Sequence, residues 1–440
     1  MRKCFHAFGL LATISLVAAG WVFANGQSER GSSSASSRPV TITVWDINTA
    51  QVQQMIETST QQFNKEHPNI HVNVEFFQND PYKNKIRIAL GAGTGPDILY
   101  SWGGGPLRSY VAANDVVDLT PYLNADAKWK NRFPDSVWGP ATVDGKIYAI
   151  PTEGSDAELL YYNKEMLQQH NLPVPRTWDE LVQDATTLRQ NGIIPISVAG
   201  ESGWPEMIWV QYLVDRIGGP AVFNDIASGK PNAWSNPAVI KALQLCQDLV
   251  KANDFEPGYS GVEVDTNQDV ALVASGKAAF LAQGDWAFGT FRNSFSDFFN
   301  AGKVGFTAMP VVNPQYADEV VGSPSNYYSV ASTSKHVKEA LEYLKDANLN
   351  DYEVHTMLNV LGRVPPVRGI ESQLATVPNA QFLTFVYDTI AKAPDVQLYW
   401  DQYLSPSQAK IMLSNIENVF LLQETPEQYA QAMNATLGSD

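Results

Sequence analysis

The stretch VTITVW, residues 40–45, alternates apolar and polar side chains, so Val40, Ile42 and Val44 share one face of a strand. The segments after this strand decide the kind of sheet it joins. Val52, Met55, Ile56 and Phe63 recur at helical spacing and the run stops at Pro68. IHVNVEF (70–76) then alternates again, and a helix around 81–91 leads into the short strand DILY (97–100). This β-α-β-α-β rhythm predicts parallel strands with helices packed on their faces.

A second run begins after VDGKIYAIP (143–151). AELLYYN (157–163) reads as a strand, KEMLQQH (164–170) as a short helix, and RTWDEL opens another helix in which Thr177 and Glu180 fit a capping box. IPISVA (194–199) is the next strand. Helices are predicted near 204–217, 236–252 and 265–275, then a strand at 278–282 and a helix starting at Trp286. KVGFTAM (303–309) and a segment near 326–331 read as strands, and Val337, Leu341 and Leu344 mark an amphipathic helix. From about residue 350 the chain reads as mainly helical, and no fixed-period repeat runs through it. The pattern is two successive α/β lobes, and a cleft between lobes is where such folds hold small ligands.

The N-terminus, MRKCFHAFGLLATISLVAAGWVFANGQ, has a basic start, an apolar core and a small-residue cleavage pattern. Residues 1–24 therefore read as a signal peptide cut after Ala24, and the Ser-rich residues 25–39 as a disordered linker. Cleavage removes Arg2 and Lys3, making a chain of net charge −16 more acidic still. With no basic cluster, that balance argues against nucleic acid as a partner. Cys4 leaves with the signal. Cys246 remains, on the apolar stripe Val239, Leu243, Cys246 and Val250, so no disulfide framework or cysteine metal site is expected. No cysteine stands at the cleavage point to carry a lipid, which predicts a free protein in the periplasm.

Catalytic signatures are missing. GAGTGPD (91–97) has glycines but no lysine, and GxGxxG after a strand, HExxH, CxxC, GxSxG and an EF-hand loop are absent. The 6 histidines lack ligand spacing, so neither a metal nor a cofactor is expected. The positive signal is aromatic. Of the 11 tryptophans, Trp45, Trp102, Trp204, Trp286 and Trp400 stand at element ends, several beside carboxylates. Indole faces pack on the C–H face of a pyranose while Asp and Glu accept its hydroxyl hydrogens. Trp129, Trp138, Trp178, Trp209 and Trp234 read as core. In GKAAFLAQGDWAF (276–288) Asp285 is the expected N-cap, leaving Trp286 at the first helical position and free to face the cleft.

Motifs along nearly the whole mature chain resemble the extracellular solute-binding proteins of ABC importers, in the group that includes maltose- and multiple-sugar-binding proteins. They are ITVWD (42–46), GTGPDILY (93–100), VDLTPYL (117–123), DGKIYAIP (144–151), LYYNKEML with PRTWDEL (160–181), GKAAFLAQGDWAF (276–288) and GRVPP (362–366). YYNKE with a downstream TWDEL is the most specific. The resemblance implies an α/β, two-lobe periplasmic-binding-protein fold of type II that closes on ligand at a hinge. It implies a carbohydrate ligand, permease subunits as partners, no catalysis, and a monomer. Trp286 resembles the family's sugar-stacking tryptophan, and Trp102 falls in a cleft loop. Glu153 and Asp156 occupy a stretch where an acidic ligand contact is usual, and Asp46 and Asn48 follow the first strand at a ligand-facing loop. Glu201, Trp204 and Trp400 match more loosely. Arg363 is either a ligand donor or a hinge salt-bridge residue.

The expected N-lobe is 40–151 plus 322–370 and the C-lobe 152–321 plus 371–440, with crossings near Pro151, Gly322 and Gly369. Two readings of other classes remain open from sequence: a secreted glycoside hydrolase, in which paired carboxylates beside aromatic subsites would look alike, and a sensing or adhesion module on the same fold. Glycines 103–105, where specificity is set, leave the particular sugar open.

Overall fold

The computed structural model describes residues 39–438. The expected signal peptide, its cleavage after Ala24 and nearly all of the 25–39 linker lie outside them. β1 (Val40–Asp46), β2 (Ile70–Phe76) and β3 (Ile98–Ser101) are linked by the helices Ala50–Glu66 and Asn79–Gly91. These three strands run parallel, as their rhythm predicts. A small hairpin of β4 (Thr142–Val143) and β5 (Lys146–Ile147) precedes β6 (Ile150–Thr152). Next come β7 (Asp156–Asn163), β8 (Ile194–Ser197), β9 (Ala278–Gly284), β10 (Val304–Ala308), β11 (Val320–Ser323), β12 (Asn326–Val330) and β13 (Val396–Leu398).

These strands form two separate sheets. One has the order β2-β1-β3-β12-β6; the other is β13-β11-β7-β9-β8, with β10 on β7. The chain passes between sheets in the short links 153–155 and 324–325. That passage sets the strand directions beyond the first three. β7 and β12 each begin where the chain has just crossed, so they run away from the junction of the sheets. β3, β6, β9 and β11 run toward it. β12 is accordingly antiparallel to β3 and β6, and β7 to β9, β10 and β11.

The same geometry explains where chemistry collects. The ends of β1, β3, β6, β9 and β13 and the starts of β7 and β12 all reach the junction. Two hydrophobic clusters of buried residues, which interleave near the junction, fill the molecule. Trp129, Trp178, Trp209 and Trp234 are buried as read, Trp138 is half-buried, and Cys246 is sealed inside, where burial pushes its thiol up. The capping box is present: the Thr177 hydroxyl accepts the Glu180 N–H at 3.3 Å and the Glu180 carboxylate accepts the Thr177 N–H at 3.0 Å. Among the described residues no helix is long and apolar enough to cross a membrane.

The halves also touch beside the junction. The helix Gly104–Ala112 meets the segment after Trp400 so closely that a Cβ on Gly105 would lie 1.8 Å from the Leu404 carbonyl oxygen. Arg108 donates to the Tyr403 carbonyl and stacks its guanidinium 5.0 Å from the Tyr403 ring centre. Lys83 reaches to 3.8 Å from Asp401.

Candidate functional site

At the end of β1 the Asp46 carboxylate is fully buried. Its Oδ1 accepts the Asn48 N–H at 2.6 Å and its Oδ2 accepts the Tyr328 hydroxyl from β12. Burial, reinforced by the nearby Glu153 carboxylate, pushes Asp46 up to about 6 despite those donors. The Asn48 amide donates to Glu153 Oε1 at 2.6 Å. Glu153 follows β6 and holds φ +54, the left-handed region that a glutamate occupies only under constraint.

The constraint is visible on its other side. Glu153 Oε2 accepts from Arg363 at 3.0 Å, and the second guanidinium nitrogen donates to Asp156 Oδ1 at 3.0 Å. Glu153 begins the link after β6 and Asp156 opens β7, so one guanidinium clamps the two ends of the passage between sheets. A one-turn π-helix, Met357–Leu361, and Gly362 at φ +70 deliver Arg363 there. Asp285 adjoins Asp156 and accepts the Ala157 N–H at 3.4 Å. Burial first, and then Asp285, push Asp156 well above the usual carboxylate range, against the pull of Arg363. Burial raises Asp285 too. Two buried carboxyl groups in contact beside one shared cation titrate as a pair rather than singly.

Asp285 is therefore not the helix cap that its position suggests. Its backbone is helical and its side chain accepts no N–H of the helix Trp286–Ser294, because the carboxylate is drawn toward β7 instead. Trp286 does open that helix, half-exposed, and its ring packs against both hydrophobic clusters. The six-membered ring folds back over Gly284: a Cβ there would meet it at 2.0 Å. Trp204, first residue of the helix Trp204–Gly218, lies edge-on to it with ring centres 6.0 Å apart, and Tyr399 lies 6.2 Å away on another side.

The remaining expected residues separate. Glu201 is exposed in a single turn before Trp204. Trp102 is mostly buried, edge-to-face with Tyr82 and Tyr100, with Lys83 5.7 Å from its ring centre. Trp400 corrects its expectation. It is 0 % exposed, stacked on Phe223 at 5.1 Å, and spends its indole N–H on Gln397 at 2.8 Å. It is core, and the residue before it, Tyr399, meets Trp286 in its place. Sequence reading passed over Tyr399 and also Glu158, whose alternation within AELLYYN marks strand but gives no sign of which face meets the junction.

Among the described residues one group has metal-ligand types within reach of one another, His67, Glu342 and Asp346. His67 already pairs with both carboxylates, at 2.9 and 3.7 Å, so the group is accounted for as a surface ion-pair set.

The sequence profile of the bacterial extracellular solute-binding proteins matches residues 46–347. The chain is 29 % identical over 215 residues to the glucose-binding protein GlcS of Saccharolobus solfataricus, covering 46 % of this chain but only 38 % of that protein. It is 25 % identical over 328 residues to the melibiose/raffinose/stachyose-binding protein MelE of Bacillus subtilis, 71 % of each. A solved structure from work on xylan utilisation by Caldanaerobius polysaccharolyticus superposes with a TM-score of 0.82 at 27 % identity, covering 91 % of this chain and 100 % of that one.

Proposed function

Because the chain belongs to the bacterial extracellular solute-binding protein family, we propose that it captures a carbohydrate at the junction of its two sheets and delivers it to the permease subunits of an ABC importer. The observation that carries this reading is the aromatic corner of Trp286, Trp204 and Tyr399 beside the Asp46–Asn48–Glu153–Arg363–Asp156 network. A half-exposed indole offers a face to a pyranose, and the polar network offers hydroxyl partners at its edge. The relatives named above for glucose and for melibiose, raffinose and stachyose support a sugar as the solute.

In this reading Trp286 and Trp204 stack on the ligand, Asp46, Asn48, Glu153 and Asp156 bond its hydroxyls, and Arg363 orders the carboxylates at the hinge. Trp102 and Glu201 border the site. The N-lobe is 40–151 with 322–370 and the C-lobe 152–321 with 371–440. The links 153–155 and 324–325, and the packing of the helix Ala380–Lys392 against the second sheet's elements, favour that division. The protein works outside the cytoplasm, in the periplasm, as a non-catalytic monomer. The test is thermal unfolding against a panel of sugars and polyols, since a ligand of the native state raises the melting temperature by mass action. A dose-dependent rise with a neutral sugar is expected. No rise with any sugar, or release of product from a chromogenic glycoside, overturns it.

A further inference from the structure

Glu158 lies in the middle of β7, 4 % exposed, and neither of its carboxyl oxygens has a hydrogen-bond partner. A buried polar group in that condition is costly unless something completes it. Nothing in its strand does. The register shows what could: Glu158 stands directly opposite Gly284 of β9. Residues opposite each other in an antiparallel pair point to the same face of the sheet. Gly284 has no side chain, and the Trp286 ring fills the space one would take. The cross-strand neighbour of Glu158 is thus the Trp286 indole itself. Tyr399 and Trp204, whose ring centres lie 6.2 and 6.0 Å from that of Trp286, also carry a hydroxyl and an indole N–H buried without a partner. Three separate elements thus carry buried, unpartnered polar atoms on residues that border the Trp286 indole.

Building on the sugar-binding reading above, we propose that Glu158 is a ligand-contacting residue that determines specificity: its carboxyl group, with the Tyr399 hydroxyl, hydrogen-bonds the sugar ring stacked on Trp286 and restricts that subsite to uncharged sugars. The charges around it set the restriction. Asp285 and Asp156 lie on the near side, and both terminal nitrogens of Arg363, the cation of that network, are taken up by Glu153 and Asp156. Tyr161, from β7, gives its hydroxyl to the Gly284 carbonyl at 3.2 Å. A uronate carboxylate placed there would meet these acids, while the charge of Arg363 is already paired with Glu153 and Asp156. Burial, opposed by Tyr399 and assisted by Asp285, pushes Glu158 up to about 8, so at neutral pH it is a protonated acid that both donates and accepts. A sugar hydroxyl, itself donor and acceptor, can use both roles.

The experiment is calorimetric titration of wild type, Glu158→Ala and Glu158→Gln with D-glucose, D-galactose, D-xylose, raffinose, D-glucuronate and D-galacturonate at pH 6, 7, 8 and 9. Each protein's melting temperature is recorded alongside. Wild type is expected to bind a neutral sugar and to reject the uronates. Alanine weakens the best neutral sugar about 10- to 100-fold, while glutamine recovers most of that loss. Wild-type affinity falls between pH 7 and pH 9 more than that of the glutamine variant. The melting temperature falls little in either variant, since the Tyr399 hydroxyl is the one polar group of the fold near the Glu158 carboxyl among the described residues. If alanine binds as wild type does, or melts far lower with binding intact, Glu158 is structural and the inference fails alone. If glutamine loses as much as alanine, or a uronate binds as tightly as its neutral sugar, the protonated-acid subsite is wrong. If wild type binds no sugar, the sugar-binding reading fails and takes this one with it.

Discussion

Trp286 and Trp400 obey the same local pattern, a tryptophan beside an aspartate where a strand has just ended, yet the fold uses them oppositely. Trp286 comes two residues after Gly284, and the missing Cβ lets its ring lie back across the sheet edge with one side open. Trp400 comes directly after the bulky Tyr399, which takes the place at the junction and turns the indole inward onto Phe223 and Trp234. Truncation separates them. Trp286→Ala should cost about 2–4 kcal/mol of ligand binding, or about 30- to 1000-fold in affinity, with a smaller effect on unfolding. Trp400→Ala should cost about 3–5 kcal/mol of stability, read by denaturant unfolding. Equal affinity losses in the two variants would contradict the assignment. Residue type and spacing made both visible in the sequence. Which way each ring turns depends on a neighbour's side-chain volume and a strand register, and neither is written in a motif.

Elements with a long periodic signal were readable: β1, β2, β7 and β9, and the helices Ala50–Glu66, Asn79–Gly91, Trp204–Gly218 and Pro237–Ala252, stand where alternation and helical spacing put them. β11 and β13 were not. VVGS and VQL are too short to alternate, and only their pairing with β7 and with each other makes them strands. Arg363 was visible as a motif residue, but its role rests on the link 153–155 between the sheets, whose two ends no local pattern brings to it. Arg363→Met should leave Glu153 and Asp156 buried without their cation and cost about 3–5 kcal/mol in stability. Arg363→Lys should recover only part, since an ammonium cannot bond both carboxylates as a planar fork does. Urea unfolding should place the lysine variant between wild type and methionine; a methionine variant as stable as wild type rejects this account. The glycine run makes a further case. At Gly105 the atom in the way of a Cβ is the Leu404 backbone oxygen, which cannot swing aside as a side chain would. Gly105→Ala should hold the halves apart at that point. The affinity should drop about tenfold or more as the closed population shrinks, and small-angle scattering of the sugar-saturated variant should show a larger radius of gyration than wild type. Unchanged scattering with unchanged affinity would mean the contact is dispensable for closure.

At the scale of the whole molecule the acidic balance acquires a second meaning. A net charge of −16 looks like a surface property, but many of its carboxyl groups are inside the fold. Burial pushes Asp46, Asp184 and Asp269 up to about 6, Glu256 to about 7, and Asp215, Glu158 and Glu353 to about 8. Each is raised above its unfolded value, so between about pH 4 and pH 8 the folded chain binds more protons than the unfolded one. By linkage, stability then rises as pH falls through that window and is lost as pH climbs past the folded values. Asp118, Asp126 and Glu180 shift the other way, but their contribution is lost only below the ordinary carboxylate range, beneath the window. The melting temperature should therefore increase from pH 8 to pH 6. Relief of surface repulsion among acidic groups would push in the same direction, so the temperature shift alone does not identify the buried groups. Proton release does. Calorimetric unfolding at pH 7 in two buffers of different ionisation heat should report net release of protons, because the buried acids surrender them on exposure. Net uptake, or none, would mean that these carboxylates are ionised in the folded protein and that its interior is wetter than their burial implies.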